Sequence, residues 1–449
     1  MPTRLDTVIF QDLVFGQELG SGSFSTVRYC KRVTRGLPSS DWPEYAAKVV
    51  SGKLMRELGY EASVRREIAV LRQMSHPGVA RLAASFRWRE DVYLLLEFAA
   101  RGDLHSQLRR MGSLAPANAQ FLFAEVSVAL GAVHRLGYAF GDLKPENILL
   151  TASGHAKLAD FGAVRPLEGN TKAVAAIAEA RHLIQELRDG DWRAAAAPVG
   201  DRPSIAISAA GARSAAAAVS ATGMQLEPLT SAEPLTSAAR GDHGADGGAT
   251  TDASGETDDG RLEGTAAYLS PELIRGGRPS VASDAWAFGC TLYQSLCGKP
   301  PLWAETPAEV MQRIVKFEPS EESAPFPEAV PSEARELIVG MLCREPESRL
   351  GGDCKGGLAA LRAHDFFEGI VWDSLYTRPP PPLASGATRP APNAKWSRRQ
   401  NSMMWSPLPS RYTFEGVMEA LSPVKETAFE ANAPFVRKLG YVSEHNSRG

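Results

Sequence analysis

The stretch of sequence that decides the fold reads GDLKPEN at residues 141–147 and is followed by DFG at residues 160–162. An aspartate can accept or orient a hydroxyl proton, a lysine can stabilise a transferring phosphoryl group, and carboxylate and amide oxygens can hold Mg²⁺. We interpret Asp142 as the residue that accepts or orients the hydroxyl proton and Lys144 as the one that stabilises the phosphoryl group. Asn147 and Asp160 are interpreted as the metal ligands. Phosphoryl transfer needs such positioned charges more than it needs covalent chemistry.

A glycine-rich turn lies upstream of these strings, between two strand-like runs. It reads GSGSFS at residues 20–25, and its small residues would let backbone N–H groups close over a polyphosphate. Lys48 lies on a third β-rich run, and Glu67 is its candidate partner on a helix. Alone, such a turn is more often a plain hairpin and such charges are more often surface charges. The turn, Lys48 and Glu67 indicate a nucleotide site only in combination with the motifs at residues 141–162.

Hydrophobic patterning predicts the elements around these motifs. Strands are expected near residues 14–19, 25–30 and 45–50, and a helix over 61–74. A buried helix is expected to end at Gly137, and residues 283–367 have further helical patterns.

Taken together, these motifs resemble the eukaryotic protein kinases over about residues 13–375, apart from an insert. Further matches are GT at 264–265, SPE at 270–272, DAWAFG at 284–289, and Arg349. The resemblance implies an α+β, bilobal protein-kinase fold with an antiparallel β-sheet N-lobe, a mainly α-helical C-lobe, and ATP between them. It also implies that Arg349 pairs with Glu272 in a structural role.

Within the kinases, the sequence is similar to the AGC group and its 3-phosphoinositide-dependent subfamily. The supporting strings are GSGSFSTV at 20–27, EYAAK at 44–48, GTAAYLSPEL at 264–273 and RLG at 349–351. The resemblance implies that Leu96 is the gatekeeper, that Glu97 and Ala99 present backbone to adenine, and that Asp103 faces the ribose. The complete set of nucleotide-binding residues that it implies is Leu19, Gly20, Ser21, Gly22, Ser23, Phe24, Ser25, Val27, Ala46, Lys48, Glu67, Leu96, Glu97, Ala99, Asp103, Glu146 and Leu149.

The resemblance further implies ATP and Mg²⁺ as cofactors, with Ser or Thr hydroxyls of proteins, including other AGC kinases, as acceptors. Lys144, two residues after the catalytic Asp142, favours Ser/Thr over Tyr. Two alternatives remain open. One is a catalytically silent scaffold, and the other is a different AGC kinase whose tail wraps the small lobe. The tail lacks the Phe-rich motif that the second alternative would need.

The sequence departs from the kinase pattern where most members carry His-Arg before the catalytic aspartate. Phe140 can stack on Phe161 and Leu71, but Gly141 has no side chain to bind an activation-loop phosphate. Arg261 stands where AGC kinases usually carry the phosphorylated residue. We hypothesise that activity does not depend on that phosphate, and that Arg261 pairs with a nearby carboxylate; the alternative is that it is merely solvated. The candidate carboxylates are Asp258, Asp259 and Glu263.

The kinase resemblance implies the two lobes, and together with the composition along the chain it divides the sequence into four regions. Residues 1–12 are an N-terminal extension, 13–99 the N-lobe, 100–375 the C-lobe and 376–449 a Pro-rich, mostly disordered tail. Residues 167–260 form a low-complexity insert in the activation segment, expected to be largely disordered with a possible short helix over 172–187. The tail is too short for a lipid-binding domain of about 100 residues, so we expect no direct binding to phosphoinositides.

Whole-chain properties narrow the remaining possibilities. The 449 residues carry a formal net charge of -3 without a concentrated basic face, which argues against nucleic acid as a partner. The five cysteines lie far apart without a CxxC, so disulfides and zinc sites are not expected. No stretch approaches the ~18 consecutive apolar residues of a membrane span, and the first residues do not resemble a signal peptide. We therefore expect a monomer in the cytoplasm or nucleus.

One further family feature is an apolar docking pocket beside the helix that bears Glu67. Met55, Val64 and Val92 could line it. Charged residues stand where apolar or hydroxyl residues are expected, which argues against docking there. They are Arg56, Glu61 and Arg65.

Overall fold

In this computed structural model, the described residues are 8–189, 265–320 and 322–386, with the backbone alone for 181–189. The smaller lobe is a five-stranded antiparallel sheet in the order β1-β2-β3-β5-β4. Its strands are β1 (Leu13–Ser21), β2 (Ser25–Arg32), β3 (Glu44–Val50), β4 (Leu82–Trp88) and β5 (Asp91–Glu97). Two helices, α1 (Gly52–Glu57) and α2 (Glu61–Gln73), connect β3 to β4. The predicted antiparallel N-lobe sheet is confirmed.

Helix α2 forms where hydrophobic residues recur with helical periodicity. Val64, Ile68 and Leu71, spaced by four and three residues, are all at most 4% exposed and belong to the main core. This burial fixes which side of α2 faces the sheet, and therefore where Glu67 lies.

The larger lobe is mainly helical, as predicted. Its helices are α3 (Leu104–Met111), α4 (Pro116–Arg135), α5 (Thr171–Asp189), α6 (Pro271–Ile274), α7 (Val281–Cys297), α8 (Pro307–Lys316), α9 (Ser332–Met341) and α10 (Gly357–Arg362). Two short antiparallel pairs frame the quoted motifs: β6 (Tyr138–Ala139) with β9 (Arg165–Pro166), and β7 (Ile148–Leu150) with β8 (Ala156–Leu158). Among the described residues, no helix is both long and apolar enough to cross a bilayer.

The insert and the tail were both expected to be mostly disordered, but the first part of each is ordered. The insert, predicted from residue 167, starts with helix α5, and the possible helix at 172–187 lies within it. Residues 376–386 of the tail lie on the larger lobe, where Asn118 donates to the carbonyl oxygens of Pro381 and Pro382 and accepts from the Ala384 amide. Extended Pro-rich backbone has no internal hydrogen bonds, so its carbonyls are available to a buried amide. The remaining predictions for residues 190–264 and 387–449, including the pairing of Arg261, lie outside the described residues.

The apolar side chains expected in a docking pocket are part of the core instead. Met55, Val64 and Val92 are 3%, 1% and 3% exposed. Arg56 forms an ion pair with Glu90 at 3.1 Å. The three apolar side chains therefore contribute to the stability of the small lobe and offer no open surface to a partner peptide.

A buried carboxyl group on α4 predicts a pH-dependent stability. Glu125 is 0% exposed, lies 2.5 Å from Nδ1 of His155, and accepts from the Ala156 amide. Burial raises its pKa to about 8, although the Ala156 amide and the charge of Lys157 oppose the shift. Because the pKa of Glu125 is raised in the folded state, the protonated carboxyl group favours folding at low pH. This contribution to the free energy of unfolding is lost as pH rises through about 8.

We therefore expect Glu125→Gln to be more stable than the wild type at pH 8, by roughly 3–5 kcal/mol, and close to it at pH 5. Urea unfolding at pH 5, 6.5 and 8 measures the difference. An equal free energy of unfolding for both proteins at pH 8 would contradict this expectation.

Candidate active site

The glycine-rich turn joins β1 to β2 at the edge of the cleft between the lobes. Gly20 pairs with Val27 across the hairpin, and the Gly22 amide donates to the Ser25 carbonyl at 2.7 Å. A Cβ added to Gly20 would meet no atom within 4 Å, and one on Gly22 would meet only Ser25. The backbone face of the turn is therefore open, as it must be for amide groups to approach a phosphate.

Lys48 is the electrostatic centre of the site. Its ammonium lies 2.8 and 2.9 Å from the two carboxylate oxygens of Glu67 and 2.9 Å from Asp160. Burial alone would lower the pKa of Lys48, but the charges of Asp160 and Glu67 outweigh it, so the pKa is raised. The sheet, α2 and the DFG string thus supply one member each to a single charged cluster.

Asp160 adopts an unusual backbone conformation that brings its carboxylate into this cluster. Its φ is +61°, in the left-handed region that non-glycine residues rarely adopt. The charge of Lys48 lowers the pKa of Asp160. The carboxylate is therefore ionised at neutral pH and available to a cation.

The catalytic-loop residues are held together by their own hydrogen bonds. Lys144 donates to Asp142 at 2.6 Å and to the hydroxyl of Thr265 at 2.9 Å. Asn147 uses its amide nitrogen to donate to the backbone and side chain of Asp142, which leaves its Oδ1 for a metal. Burial would lower the pKa of Lys144, but the Asp142 charge raises it, so Lys144 stays cationic.

These residues fit a divalent cation bound together with a nucleotide. The described residues contain no cluster of three or more His, Cys, Asp or Glu side chains that could hold a metal alone. Asp160 and Asn147 offer hard oxygen ligands, and Mg²⁺ is commonly held by one or two such groups together with phosphate oxygens and water. The donor set therefore suits a metal that arrives with a polyphosphate.

The residues expected around adenine and ribose lie along the rest of the cleft. Leu96 pairs with Ala46, and Glu97 with Tyr45, between β5 and β3. Leu149 of β7 forms a bridge with Asp103. Asp103 caps α3 by accepting from the amide and hydroxyl of Ser106, at 2.7 and 2.9 Å. The contacts of these residues with a nucleotide stay predictions.

Glu146, also assigned to the nucleotide site, lies within the catalytic loop, in the short helical turn Pro145–Asn147. It is 3.2 Å from Nδ1 of His105. Burial raises its pKa to about 7, although Lys144 opposes the shift. Leu19 lies at the exposed rim of the glycine-rich turn, with 41% of its surface exposed.

The non-standard pair before the catalytic aspartate is accommodated by the core. The Phe140 and Phe161 rings meet edge to face at 5.1 Å, as expected, and Leu71 belongs to the same core cluster. Gly141 has φ +79°, and a Cβ there would lie 2.7 Å from the Ala163 carbonyl oxygen. Glycine therefore relieves both a strained conformation and a close contact.

Sequence reasoning gave no role to two residues that position the loop. Asp284 is 1% exposed and accepts from the Phe140 and Gly141 amides at 2.7 and 2.8 Å. Thr265 binds Lys144. Both lie within quoted kinase motifs, but only the folded chain shows what they contact.

Comparison with known proteins agrees with this geometry. A family model described as protein kinase domain matches residues 13–184 and 245–367. The chain is 30% identical over 373 residues to 3-phosphoinositide-dependent protein kinase 1 of Arabidopsis thaliana, covering 83% of this chain and 58% of that protein. The human protein of the same name is 28% identical over 375 residues, covering 84% of this chain and 50% of that protein. A serine/threonine-protein kinase of Cryptococcus neoformans is 26% identical over 362 residues, covering 81% of this chain and 22% of that protein.

The chain thus spans between about half and three fifths of the length of the first two relatives. Protein kinase domains in general use ATP and a divalent metal, and act on proteins. On the family match and the assembled site, the chain belongs to the protein kinase family, and within it resembles the 3-phosphoinositide-dependent kinases of the AGC group.

Proposed function

We propose that this chain is a serine/threonine protein kinase that transfers the γ-phosphoryl group of ATP, with Mg²⁺, to Ser or Thr hydroxyls of other proteins. The observation that carries the proposal is the position of Lys48, within 2.9 Å of both Glu67 and Asp160. This ion pair and the metal-binding aspartate must both be in place for phosphoryl transfer. A silent scaffold has no need of such an arrangement.

The chain's own residues divide the work of transfer. When bound, Mg²⁺-ATP supplies the phosphoryl group and an activated leaving group. Asp142 accepts or orients the proton of the acceptor hydroxyl, and Lys144, 2.6 Å away, neutralises charge beside it. Asn147 and Asp160 would hold the metal, and the Lys48 ammonium would neutralise phosphate charge.

Three considerations support Ser/Thr acceptors and protein substrates. Lys144 follows the catalytic aspartate by two residues, and its bond to Thr265 places residue 265 of the activation segment beside the catalytic loop. The Cryptococcus relative is named a serine/threonine-protein kinase. By similarity to the 3-phosphoinositide-dependent kinases, we propose that the substrates include other AGC kinases. From the chain's own sequence we further propose a monomer of the cytoplasm or nucleus that binds neither membranes nor nucleic acid directly.

A peptide array incubated with radiolabelled ATP and Mg²⁺ tests this function. It would include activation-loop peptides of AGC kinases, each synthesised with Ser, Thr or Tyr at the acceptor position. We expect label on the Ser and Thr peptides, little on the Tyr peptides, and loss of all label when EDTA is added. Nucleotide binding without label on any peptide would contradict this function and favour the scaffold alternative.

A further inference from the structure

Helix α5 is attached to the frame of the kinase domain directly after strand β9. The Leu167 amide donates to the Gly137 carbonyl at 2.8 Å, and the Asn170 side chain accepts from the Ala173 amide at 3.0 Å. Gly137 has φ +87°, and a Cβ there would overlap the Asn170 side chain. This glycine therefore lets Asn170 cap the helix close to the end of α4.

One face of α5 is buried in the main core. Ala173, Ile177 and Ala180 are 2%, 1% and 1% exposed and, at spacings of four and three, lie on one side of the helix. The helix packs along α2 and also meets β4. The two alanines allow a close approach, and Ile177 is the largest of these three side chains.

A buried tyrosine connects the two helices. The hydroxyl of Tyr138 accepts from the side chain of Gln73, at the end of α2, and donates to the Ala173 carbonyl, at 3.2 and 3.3 Å. Tyr138 is 0% exposed. Its hydroxyl therefore bonds one group from each helix.

Helix α2 is consequently held at three positions along its length. Near its start, Ser63 donates to the Gly162 carbonyl of the DFG string at 2.7 Å. In the middle, Glu67 binds Lys48, and at the end Gln73 binds Tyr138. The first two contacts belong to the active site, whereas the third depends on Tyr138, which α5 covers.

We propose that α5 is a brace that holds α2 in the position from which Glu67 pairs with Lys48, and that Ile177 is its principal positioning residue. The inference rests on the proposed function for its kinetic test. Gly141 has no side chain that could bind an activation-loop phosphate and so connect it to the catalytic loop. The brace aligns α2 by apolar packing within the same chain, and this alignment needs no contribution from residue 141.

The test compares Ile177→Ala with Glu179→Ala, which truncates an exposed side chain on the same helix. Hydrogen exchange is followed in the full-length chain without nucleotide. In Ile177→Ala we expect exchange in residues 61–73 to become about tenfold faster, with residues 281–297 of α7 unchanged. Glu179→Ala should match the wild type. Unchanged exchange in α2, or equal acceleration in α7, would overturn the brace.

A double-mutant cycle then asks whether Ile177 acts through Glu67. In the otherwise wild-type chain, we expect Ile177→Ala to lower kcat/KM for ATP about tenfold. In the Glu67→Gln background, the same substitution should lower it less than about twofold. A merely structural role would give the same fold-change in both backgrounds, and that result would refute the positioning role. The conservative Ile177→Val should restore most of the activity, and serves for both measurements if Ile177→Ala does not fold. If the wild type transfers no phosphate, the proposed function fails, but the exchange experiment still decides about the brace.

Discussion

Asp142→Asn is expected to lower kcat by about a thousandfold while changing the affinity for Mg²⁺-ADP less than about threefold. Asn keeps the shape of the side chain and can still accept from Lys144 and Asn147, which lie 2.6 and 3.0 Å from the carboxylate. It can neither take the hydroxyl proton nor supply negative charge. Steady-state kinetics on the best array peptide, together with calorimetric ADP binding, measures both quantities.

Asp41→Asn provides the matched control, because Asp41 is an exposed aspartate in a short turn of the small lobe. It should retain wild-type kcat. A kcat for Asp142→Asn within tenfold of the wild type would contradict the role assigned to this carboxylate.

Arg349→Met is expected to destabilise the larger lobe by about 3–5 kcal/mol, because it breaks a buried ion pair from one side. Arg349 is 0% exposed and forms two hydrogen bonds with Glu272, at 2.6 and 2.9 Å. It also donates to the carbonyls of Ala282, Cys343 and Arg344. The variant would leave all of these acceptors without their donor, and a carboxylate without its counter-charge.

Arg344→Met is the matched control, since Arg344 pairs with Glu318 at the surface, where both side chains are at least 34% exposed. That pair should contribute less than about 1 kcal/mol. Urea unfolding of the three proteins gives the comparison. Equal free energies of unfolding for the two variants would show that the Arg349 pair has no special structural role.

The sequence predicted the lobes and most of the site because both depend on local patterns. Alternating and helical spacing of apolar residues is sufficient to predict β3 and α2, since each must bury one face. The chemistry of the cleft likewise requires particular residue types at short, fixed distances along the chain. Lys48, Asp142 and Asp160 could therefore be selected before their distances were known.

Local patterns could not determine how distant segments meet. The Ala-rich start of the insert has helix propensity but little apolar area, so its order depends on whether another surface can cover Ile177. Likewise, the Pro-rich residues 376–386 are ordered because Asn118, far away in sequence, binds their backbone.

The same limit applies to Met55, Val64 and Val92, whose apolar character is compatible with either a pocket or a core. The sequence by itself determined which residues we assign to the chemistry and which elements present them. The tertiary structure alone decided that α5 lies on α2, that Tyr138 links them, and that the candidate pocket residues are buried. The physical reason is that burial and hydrogen bonding between distant segments depend on which surfaces remain to be covered once the local elements have formed.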